Sequence, residues 1–203
     1  ADMQLAVDLD LQRYAMRRLN GESAAAVMLD VATGDIVALA SSPGFDPNQF
    51  VFGISTTNWN ALLNDPYRPL ANKTVSGQYP PGSTVKMVVA LAALEGGVLD
   101  PSEKIFCNGR YKLGDRYFHC WRRGGHGKVD LNTSLEQSCD VFYYECAKRV
   151  GVEAIATMAK RLGIGIKPDL PLPAVREGLM PTKDWKRRER NQGWLIGDSL
   201  NTG

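Results

Sequence analysis

Two residues whose types and spacing could support catalysis, Ser83 and Lys86, lie three positions apart where an apolar segment begins. Residues 85–94 read Val-Lys-Met-Val-Val-Ala-Leu-Ala-Ala-Leu, which predicts a buried helix ended by Gly96 and Gly97. A separation of three places both side chains on one helical face, one turn apart. The spacing therefore brings an amine close to a hydroxyl.

A serine beside a lysine in such a helix can act as a nucleophile. A serine hydroxyl attacks poorly until a base removes its proton, and a lysine can be that base when burial favours its neutral amine. The helix N-terminus adds backbone N–H groups and a partial positive charge, which would stabilise the oxyanion of an attacked carbonyl. Ser83 and Lys86 therefore predict acyl transfer through a serine ester.

A second polar element, Ser138 and Asp140, follows about fifty residues later on a helix or helix junction. Its hydroxyl and carboxylate could hydrogen-bond the amine of Lys86 and shuttle the proton of a leaving group. Each element alone has a structural alternative, in which Ser83 caps a helix, Lys86 extends to solvent, and the second element is another cap. The two elements together favour catalysis.

The elements that must position these residues follow from periodicity and turn signals. Asp8 or Asp10 is expected to cap an amphipathic helix after a short strand over residues 4–8. Residues 42–82 are rich in Pro, Gly, Asn and Ser and predict a long loop with one helical turn around 59–63. The remaining predictions are a hairpin of strands 24–31 and 36–41, a second hairpin over 105–121, helices over 132–150 and 152–162, and a loop-rich tail from 163.

Composition sets outer bounds on function. Of 203 residues, 44% are apolar and 23% charged, as expected of a globular domain with a substantial core. The formal net charge of +2 gives no indication of a nucleic-acid or membrane-surface partner. The basic run Lys183–Arg190 is interrupted by Asp184, Trp185 and Glu189, so we interpret it as a solvated face. No stretch approaches the ~18 apolar residues of a membrane span.

Both ends of the sequence read as cuts in a longer chain. Residues 1–4 lack the charged-then-apolar pattern of a signal peptide, and residues 201–203 form a polar, turn-like tripeptide with no closing helix or strand. We therefore expect residues 1–203 to be the N-terminal portion of a larger domain, with any membrane anchor lying upstream.

Several segments together resemble a known family. Residues 79–86, Tyr-Pro-Pro-Gly-Ser-Thr-Val-Lys, are similar to the active-site serine segment of penicillin-binding proteins. Residues 138–140, Ser-Cys-Asp, resemble their Ser-x-Asn element with Asp in place of Asn. Similarity to class B members of the penicillin-binding protein 2 type continues along nearly the whole chain, in residues 30–40, 42–47, 124–127 and 197–201.

The resemblance implies a mixed α/β fold of the α+β type, with a five-stranded antiparallel sheet flanked by helices. It also implies peptidoglycan D,D-transpeptidation, in which stem peptides or β-lactams acylate Ser83. Lys86 would be the base, and Ser138 and Asp140 would complete the proton network. No cofactor is expected.

The third motif of the family, Lys-[Ser/Thr]-Gly on a sheet-edge strand, is absent from this sequence. The tripeptide at 201–203 is no substitute, because Asn201 lacks the positive charge that would hold a substrate carboxylate. We therefore expect the C-terminal strands of the sheet and one oxyanion donor to be missing, and the activity of this chain alone to be impaired.

The resemblance also implies a location on the periplasmic side of the inner membrane and a role in lateral wall elongation. The implied partners are a membrane-embedded glycan polymerase and other shape-determining proteins. Two alternative functions are a serine β-lactamase, which would need a water-activating residue, and a β-lactam-binding sensor or inactive scaffold. The matches outside the active site favour the transpeptidase over the β-lactamase, whereas Asp140 and the missing motif keep the scaffold open.

Cys107 and Cys120 flank a predicted turn. A two-residue turn at 113–114 would place them directly opposite each other, close enough for a disulfide, whereas a three-residue loop would set Cys107 against His119. An exported domain favours the disulfide. The rival is a zinc site built from Cys107, Cys120 and His119 or His126.

A further alternative is that these two cysteines are simply reduced and the histidines lie in loops. Cys139 and Cys146 lie seven apart on one predicted helix face. The helical rise separates them by roughly 10 Å, which is too far for a disulfide. We expect both to be core thiols.

Overall fold

The computed structural model describes residues 4–201, so most of residues 1–4 and 201–203, whose sequence suggested cut ends, lies outside the described part. The chain divides into two compact units, Ala1–Gln78 with Asp169–Arg176, and Tyr79–Pro168 with Glu177–Gly203. Within the described residues, no helix is both long enough and apolar enough to cross a membrane.

The first unit contains the predicted first hairpin and three helices. Strand β1 pairs antiparallel with β2, with an irregularity between Met28 and Leu29. Its elements are α1 (Leu9–Arg18), β1 (Ala24–Leu29), β2 (Ile36–Ser42), α2 (Thr56–Asn64) and α3 (Lys73–Ser76), with a 3₁₀ helix at Pro47–Phe50.

Helix α1 begins where the sequence predicted. Asp8 caps it by accepting a hydrogen bond from the Leu11 N–H. The side-chain amide of Gln12 exchanges hydrogen bonds of 2.9 and 2.7 Å with the backbone of Leu39, which ties α1 to β2. The strand predicted over 4–8 is wrong, because this segment contributes one backbone bond to β2, from Asp8 to Val37, before the chain enters the helix.

The long loop predicted over 42–82 contains more helix than expected, although α2 does include the predicted turn at 59–63. Polar residues that indicated a loop act instead as helix N-caps. Ser55 accepts from the Asn58 N–H, and Asn72 accepts from the Thr74 N–H. Capping residues and loop residues share the same composition, so periodicity alone did not separate them.

The second unit is a helical core with short antiparallel strands. Its elements are α4 (Lys86–Glu95), β3 (Ile105–Cys107), β4 (Arg110–Leu113), β5 (Arg116–His119), β6 (Gly127–Val129), α5 (Leu131–Glu136), α6 (Asp140–Val150), α7 (Val152–Arg161), α8 (Lys183–Arg190) and α9 (Ile196–Leu200). Helices α4, α6 and α7 pack together, and Val89, Phe142 and Ile155 are fully buried between them. Burial of these side chains from three helices fixes the position of α4 against α6.

The described residues form three two-stranded antiparallel sheets rather than one larger sheet. The predicted mixture of helices and antiparallel strands is confirmed, but the second hairpin differs from both predicted registers. Leu113 pairs with Arg116, and Gly114 occupies the turn with φ +56°. Glycine accepts that conformation, whereas the predicted turn at 113–114 would have required it of leucine as well.

Two other segments depart from expectation. The helix predicted over 132–150 is interrupted between α5 and α6, and the interruption contains Ser138. The tail predicted as loop from 163 contains α8 and α9, and Thr182 caps α8 by accepting from the Trp185 N–H. The strong polarity of α8 hid its helical character because most of its residues face solvent.

Two loops cross closely beside β3 and β6, and glycines make the crossing possible. Gly125 has φ +80°, and a Cβ at this position would lie 2.2 Å from the Cys107 carbonyl oxygen.

We predict that Gly125→Ala lowers the free energy of unfolding by about 2–4 kcal/mol, through backbone strain and overpacking. Gly124→Ala is the matched control, since a Cβ there meets nothing within 4 Å. Urea unfolding measures both, and equal stability of the two variants would contradict the prediction.

Candidate active site

The four residues predicted to be catalytic lie at the facing ends of two packed helices. Ser83 lies in a 3₁₀ turn, Gly82–Val85, that leads directly into α4, and Lys86 is the first residue of α4. Ser138 lies in the break before α6, and Asp140 is the first residue of α6. Because α4 packs against α6, the structure brings all four together.

Lys86 is the centre of a hydrogen-bond network. Its ammonium Nζ donates to the Ser138 carbonyl oxygen and Ser138 Oγ, each at 2.9 Å, and to Asp140 Oδ1 at 2.6 Å. These three bonds use all three donors of the ammonium. Ser138 Oγ in turn donates to Ser83 Oγ at 3.0 Å. The described residues therefore connect Ser83 to Lys86 through the hydroxyl of Ser138.

The lysine is far less accessible than a surface lysine. Its side chain is 5% exposed and that of Asp140 is 22% exposed. Nζ also lies 5.6 Å from the centre of the Tyr143 ring, within the range of a cation–π contact. Burial raises the pKa of the Tyr143 hydroxyl to about 12, so this ring remains neutral beside the ammonium. Among the residues that the structure describes, Asp140 is the acidic side chain bonded to Lys86.

A strained turn places Ser138. Its φ is +50°, a left-handed conformation that non-glycine residues adopt at a cost of about 1–2 kcal/mol. The turn closes through a bond from the Cys139 N–H to the Ser134 carbonyl, 2.9 Å. As a result, both the carbonyl and the hydroxyl of Ser138 reach Lys86. The strained residue is therefore one whose orientation matters to the site.

Trp121 is a functional neighbour that sequence reasoning missed. Its backbone N–H donates to Asp140 Oδ2 at 2.8 Å, and its indole N–H donates to the Gln137 carbonyl at 3.0 Å. No sequence motif predicts these two hydrogen bonds. One donor is a backbone N–H, and both bonds connect residues that are far apart in the sequence.

Ser83 opens into a cleft of ≈ 480 Å³. Residues 80–86 form one wall together with Asp140, and Ile164, Leu179 and Met180 add apolar surface. The nucleophile candidate is exposed while its lysine is buried. A substrate carbonyl could therefore reach Ser83 while bulk water has little access to the ammonium.

The cysteines form an arrangement that differs from the prediction. All four are free, so the predicted disulfide between Cys107 and Cys120 is not present. The ligand atoms of Cys107, Cys120, His126 and Cys139, here called the thiol cluster, all lie within 4.8 Å of one another.

The expectation that Cys139 is an ordinary core thiol was incomplete, because this residue belongs to the thiol cluster. Cys146 lies outside the cluster and is buried, as predicted, and burial raises its pKa to about 12. His119 also lies outside it, at the end of β5, where its carbonyl accepts a bond from the Tyr144 hydroxyl.

The geometry of the thiol cluster fits a tetrahedral ion with sulfur and nitrogen ligands. His126 Nδ1 lies 3.6 Å from Cys107 Sγ and 3.5 Å from Cys120 Sγ. Zinc bonds of typical length at tetrahedral angles would separate sulfur and nitrogen ligands by about 3.6 Å. Nδ1 is therefore the ring nitrogen that faces the two thiols. The other ring nitrogen, Nε2, is buried and has no hydrogen-bond partner among the described residues.

Comparison with known proteins agrees with this geometry. Residues 24–203 match the penicillin binding protein transpeptidase domain. The peptidoglycan D,D-transpeptidase MrdA of Escherichia coli K12 is 39% identical over 204 residues, which cover 100% of this chain and 32% of that protein. This chain therefore spans about a third of the length of that relative.

Two solved structures are similar over nearly the whole chain. Pseudomonas aeruginosa PBP2 in complex with WCK 5153 is 39% identical with a TM-score of 0.93, covering 97% of this chain and 45% of that one. Helicobacter pylori PBP2 in complex with MreC is 32% identical with a TM-score of 0.95, covering 98% and 37%. The chain belongs to the penicillin-binding-protein transpeptidase domain family.

Proposed function

We propose that this chain carries the acylation site of a peptidoglycan D,D-transpeptidase, with Ser83 as the nucleophile. The observation that carries the proposal is the continuous set of hydrogen bonds from Ser83 through Ser138 to Lys86 and Asp140. A base connected to an exposed serine at the edge of a cleft is the arrangement that acyl transfer requires. The MrdA relative of E. coli is a peptidoglycan D,D-transpeptidase, which supports the same reaction for this chain.

In the proposed mechanism, the ammonium of Lys86 first transfers a proton to Asp140 Oδ1, which leaves a neutral amine. Ser83 Oγ attacks the carbonyl of the penultimate D-Ala of a stem peptide. Its proton passes to Ser138 Oγ, and the proton of Ser138 passes to Lys86 Nζ. The 2.6–3.0 Å separations allow each transfer once the amine of Lys86 turns its lone pair towards Ser138 and the Ser138 hydroxyl rotates from Ser83 towards Lys86.

Collapse of the tetrahedral intermediate breaks the peptide C–N bond. The leaving D-Ala amine recovers the proton by the reverse route, and an acyl ester remains on Ser83. The amine of a neighbouring stem peptide then attacks that ester and gives up a proton to the same network. The ester C–O bond breaks, Ser83 Oγ recovers a proton, and the cross-linked product is released. A β-lactam follows the first half of this path, in which opening of its ring leaves the acyl group on Ser83.

We place the whole protein on the periplasmic side of the inner membrane, in lateral wall elongation. The complex of the H. pylori relative with MreC supports a partner among shape-determining proteins. A membrane-embedded glycan polymerase is the second proposed partner, by resemblance to the family. A scaffold that binds β-lactams without turnover would show acylation of Ser83 and no exchange of D-Ala.

The nucleophile can be tested by intact-mass spectrometry of the full-length natural protein after incubation with a penicillin. We predict one penicilloyl adduct in the wild type and none in Ser83→Ala, because Ser83 carries the network hydroxyl that lines the cleft, whereas Ser138 does not line it. Ser102→Ala is the control, since this exposed serine bonds only to Asp100 among the described contacts. An adduct that persists in Ser83→Ala would contradict the assignment.

We also propose that the thiol cluster binds a structural Zn²⁺ through Cys107, Cys120, His126 and Cys139. Four ligands of suitable chemistry are already gathered, and two sulfur–nitrogen distances match tetrahedral coordination. When bound, the ion would hold β3, the loop after β5 and the start of α6 together. It has no step in the proposed acyl transfer.

The zinc proposal predicts about one zinc per chain by plasma mass spectrometry of protein purified without chelator. Cys107→Ser and Cys139→Ser should each lose most of the metal and lower Tm, because a site that loses a ligand binds weakly. Cys146→Ser keeps all four ligands and should retain the zinc. Full metal content in Cys107→Ser would contradict the zinc site. A thiol titration that finds two rather than four free cysteines among residues 1–203 would instead support the disulfide between Cys107 and Cys120.

A further inference from the structure

Trp121 contacts both ends of the turn formed by residues 137–140, here called the catalytic turn. Its indole N–H holds the Gln137 carbonyl, just before Ser138, and its backbone N–H holds the Asp140 carboxylate, just after it. Between these two contacts lies the strained residue Ser138, with φ +50°. One residue from the strand region therefore spans the turn that presents both partners of Lys86.

Burial does not explain the position of Trp121, because it is 64% exposed. A tryptophan that contributed mainly apolar packing would be expected to lie largely inside. Its ring has an edge contact with His126 at 5.4 Å between centroids, but its two polar groups both point to the catalytic turn. The two hydrogen bonds, rather than apolar packing, therefore account for the position of Trp121.

The backbone N–H of Trp121 also distinguishes a carboxylate from an amide at position 140. Asp140 Oδ1 accepts from Lys86 and Oδ2 accepts from Trp121, so both oxygens serve as acceptors. An asparagine has one oxygen and one NH₂ group, and the NH₂ would face either an ammonium or an N–H donor. The surroundings of Asp140 are therefore complementary to a carboxylate.

We infer that Trp121 is a positioning residue for acylation, which holds Asp140 as the carboxylate partner of Lys86 and fixes the turn at Ser138. The inference rests on the proposed function. Trp121 touches no reacting atom in this account. It acts through the two residues that orient Lys86.

The test uses the full-length natural protein and separates the acylation rate constant k2 from the dissociation constant of the non-covalent complex with a penicillin. Trp121→Phe keeps the ring and removes the indole donor. We expect k2 to fall about 3- to 10-fold, as for loss of one hydrogen bond, with the dissociation constant unchanged within twofold. Trp194→Phe is the matched control, since it removes an indole bond to Ser199 outside this network and should leave k2 unchanged.

If Trp121 only stabilised the fold, Trp121→Phe would change k2 by the same factor with Asp or Asn at position 140. Loss of the indole bond to Gln137 removes the anchor that aims the backbone N–H of Trp121 at Asp140. In Asp140→Asn that N–H has already lost its carboxylate partner, so adding Trp121→Phe should lower k2 by less than twofold further. A k2 for Trp121→Phe within twofold of the wild type, or a full additional loss in the Asp140→Asn background, would overturn the inference.

Hydrogen exchange of the two Trp121 N–H groups tests the contacts without any acylation. Both should exchange at least tenfold more slowly than freely solvated groups, and Asp140→Ala should accelerate the backbone N–H. If the wild type is never acylated while this protection is present, the proposed function fails and the positioning contacts stand. Exchange at the free rate for both groups would overturn the inference whatever the acylation result.

Discussion

The buried ammonium of Lys86 is the constraint on which the rest of the site depends. An ammonium removed from water is strongly destabilising unless an anion and further hydrogen bonds replace its hydration, and loss of one partner from a buried pair costs about 3–5 kcal/mol. Asp140 supplies the anion and Ser138 supplies two more acceptors. The helix break before α6 and the left-handed backbone of Ser138 follow from the need to bring these acceptors to one point.

The same constraint explains why the nucleophile can be exposed. In the proposed reaction Ser83 needs contact with substrate, whereas its base needs shelter from water. The Ser138 hydroxyl bridges these two environments over 3.0 and 2.9 Å. The packing of α4 against α6 sets those distances. A shift of either helix would therefore change the polar network and the apolar core together.

The short strands between α4 and α5 also position the network, because Trp121, which follows β5, donates a hydrogen bond to Asp140. Cys120 precedes Trp121 and Cys139 precedes Asp140, so the thiol cluster lies one residue from each member of the Trp121–Asp140 contact. The glycines at 109 and 125 allow the loops beneath the cluster to approach each other. Ser138, Gly109 and Gly125 all have positive φ, so left-handed backbone occurs both in the catalytic turn and in the loops beneath the thiol cluster.

Several of these features could be predicted from the sequence and others could not. The apolar run of α4 and the hairpin of β1 and β2 are local signals, and each predicted the structure correctly. The spacing of Ser83 and Lys86 predicted their nearness, but the structure connects them through the hydroxyl of Ser138. The pairing of β3 with β6, the break before α6 and the place of Cys139 in the thiol cluster depend on contacts between distant segments. Local propensity carries no information about such contacts. A backbone donor such as the Trp121 N–H cannot be predicted from the residue type, because every residue except proline has one.

The most direct test of the account is the acylation rate of Ser138→Ala in the full-length protein. This change removes the hydroxyl between Ser83 and Lys86 but keeps the Ser138 carbonyl and Asp140 as partners of the ammonium, so the site remains assembled. The account predicts that k2 for a penicillin falls about 100-fold or more in a variant that stays folded, with Tm lowered only by the loss of one hydrogen bond to the ammonium. An unchanged k2 in a folded variant would show that the proton of Ser83 leaves by another route and would contradict the central claim.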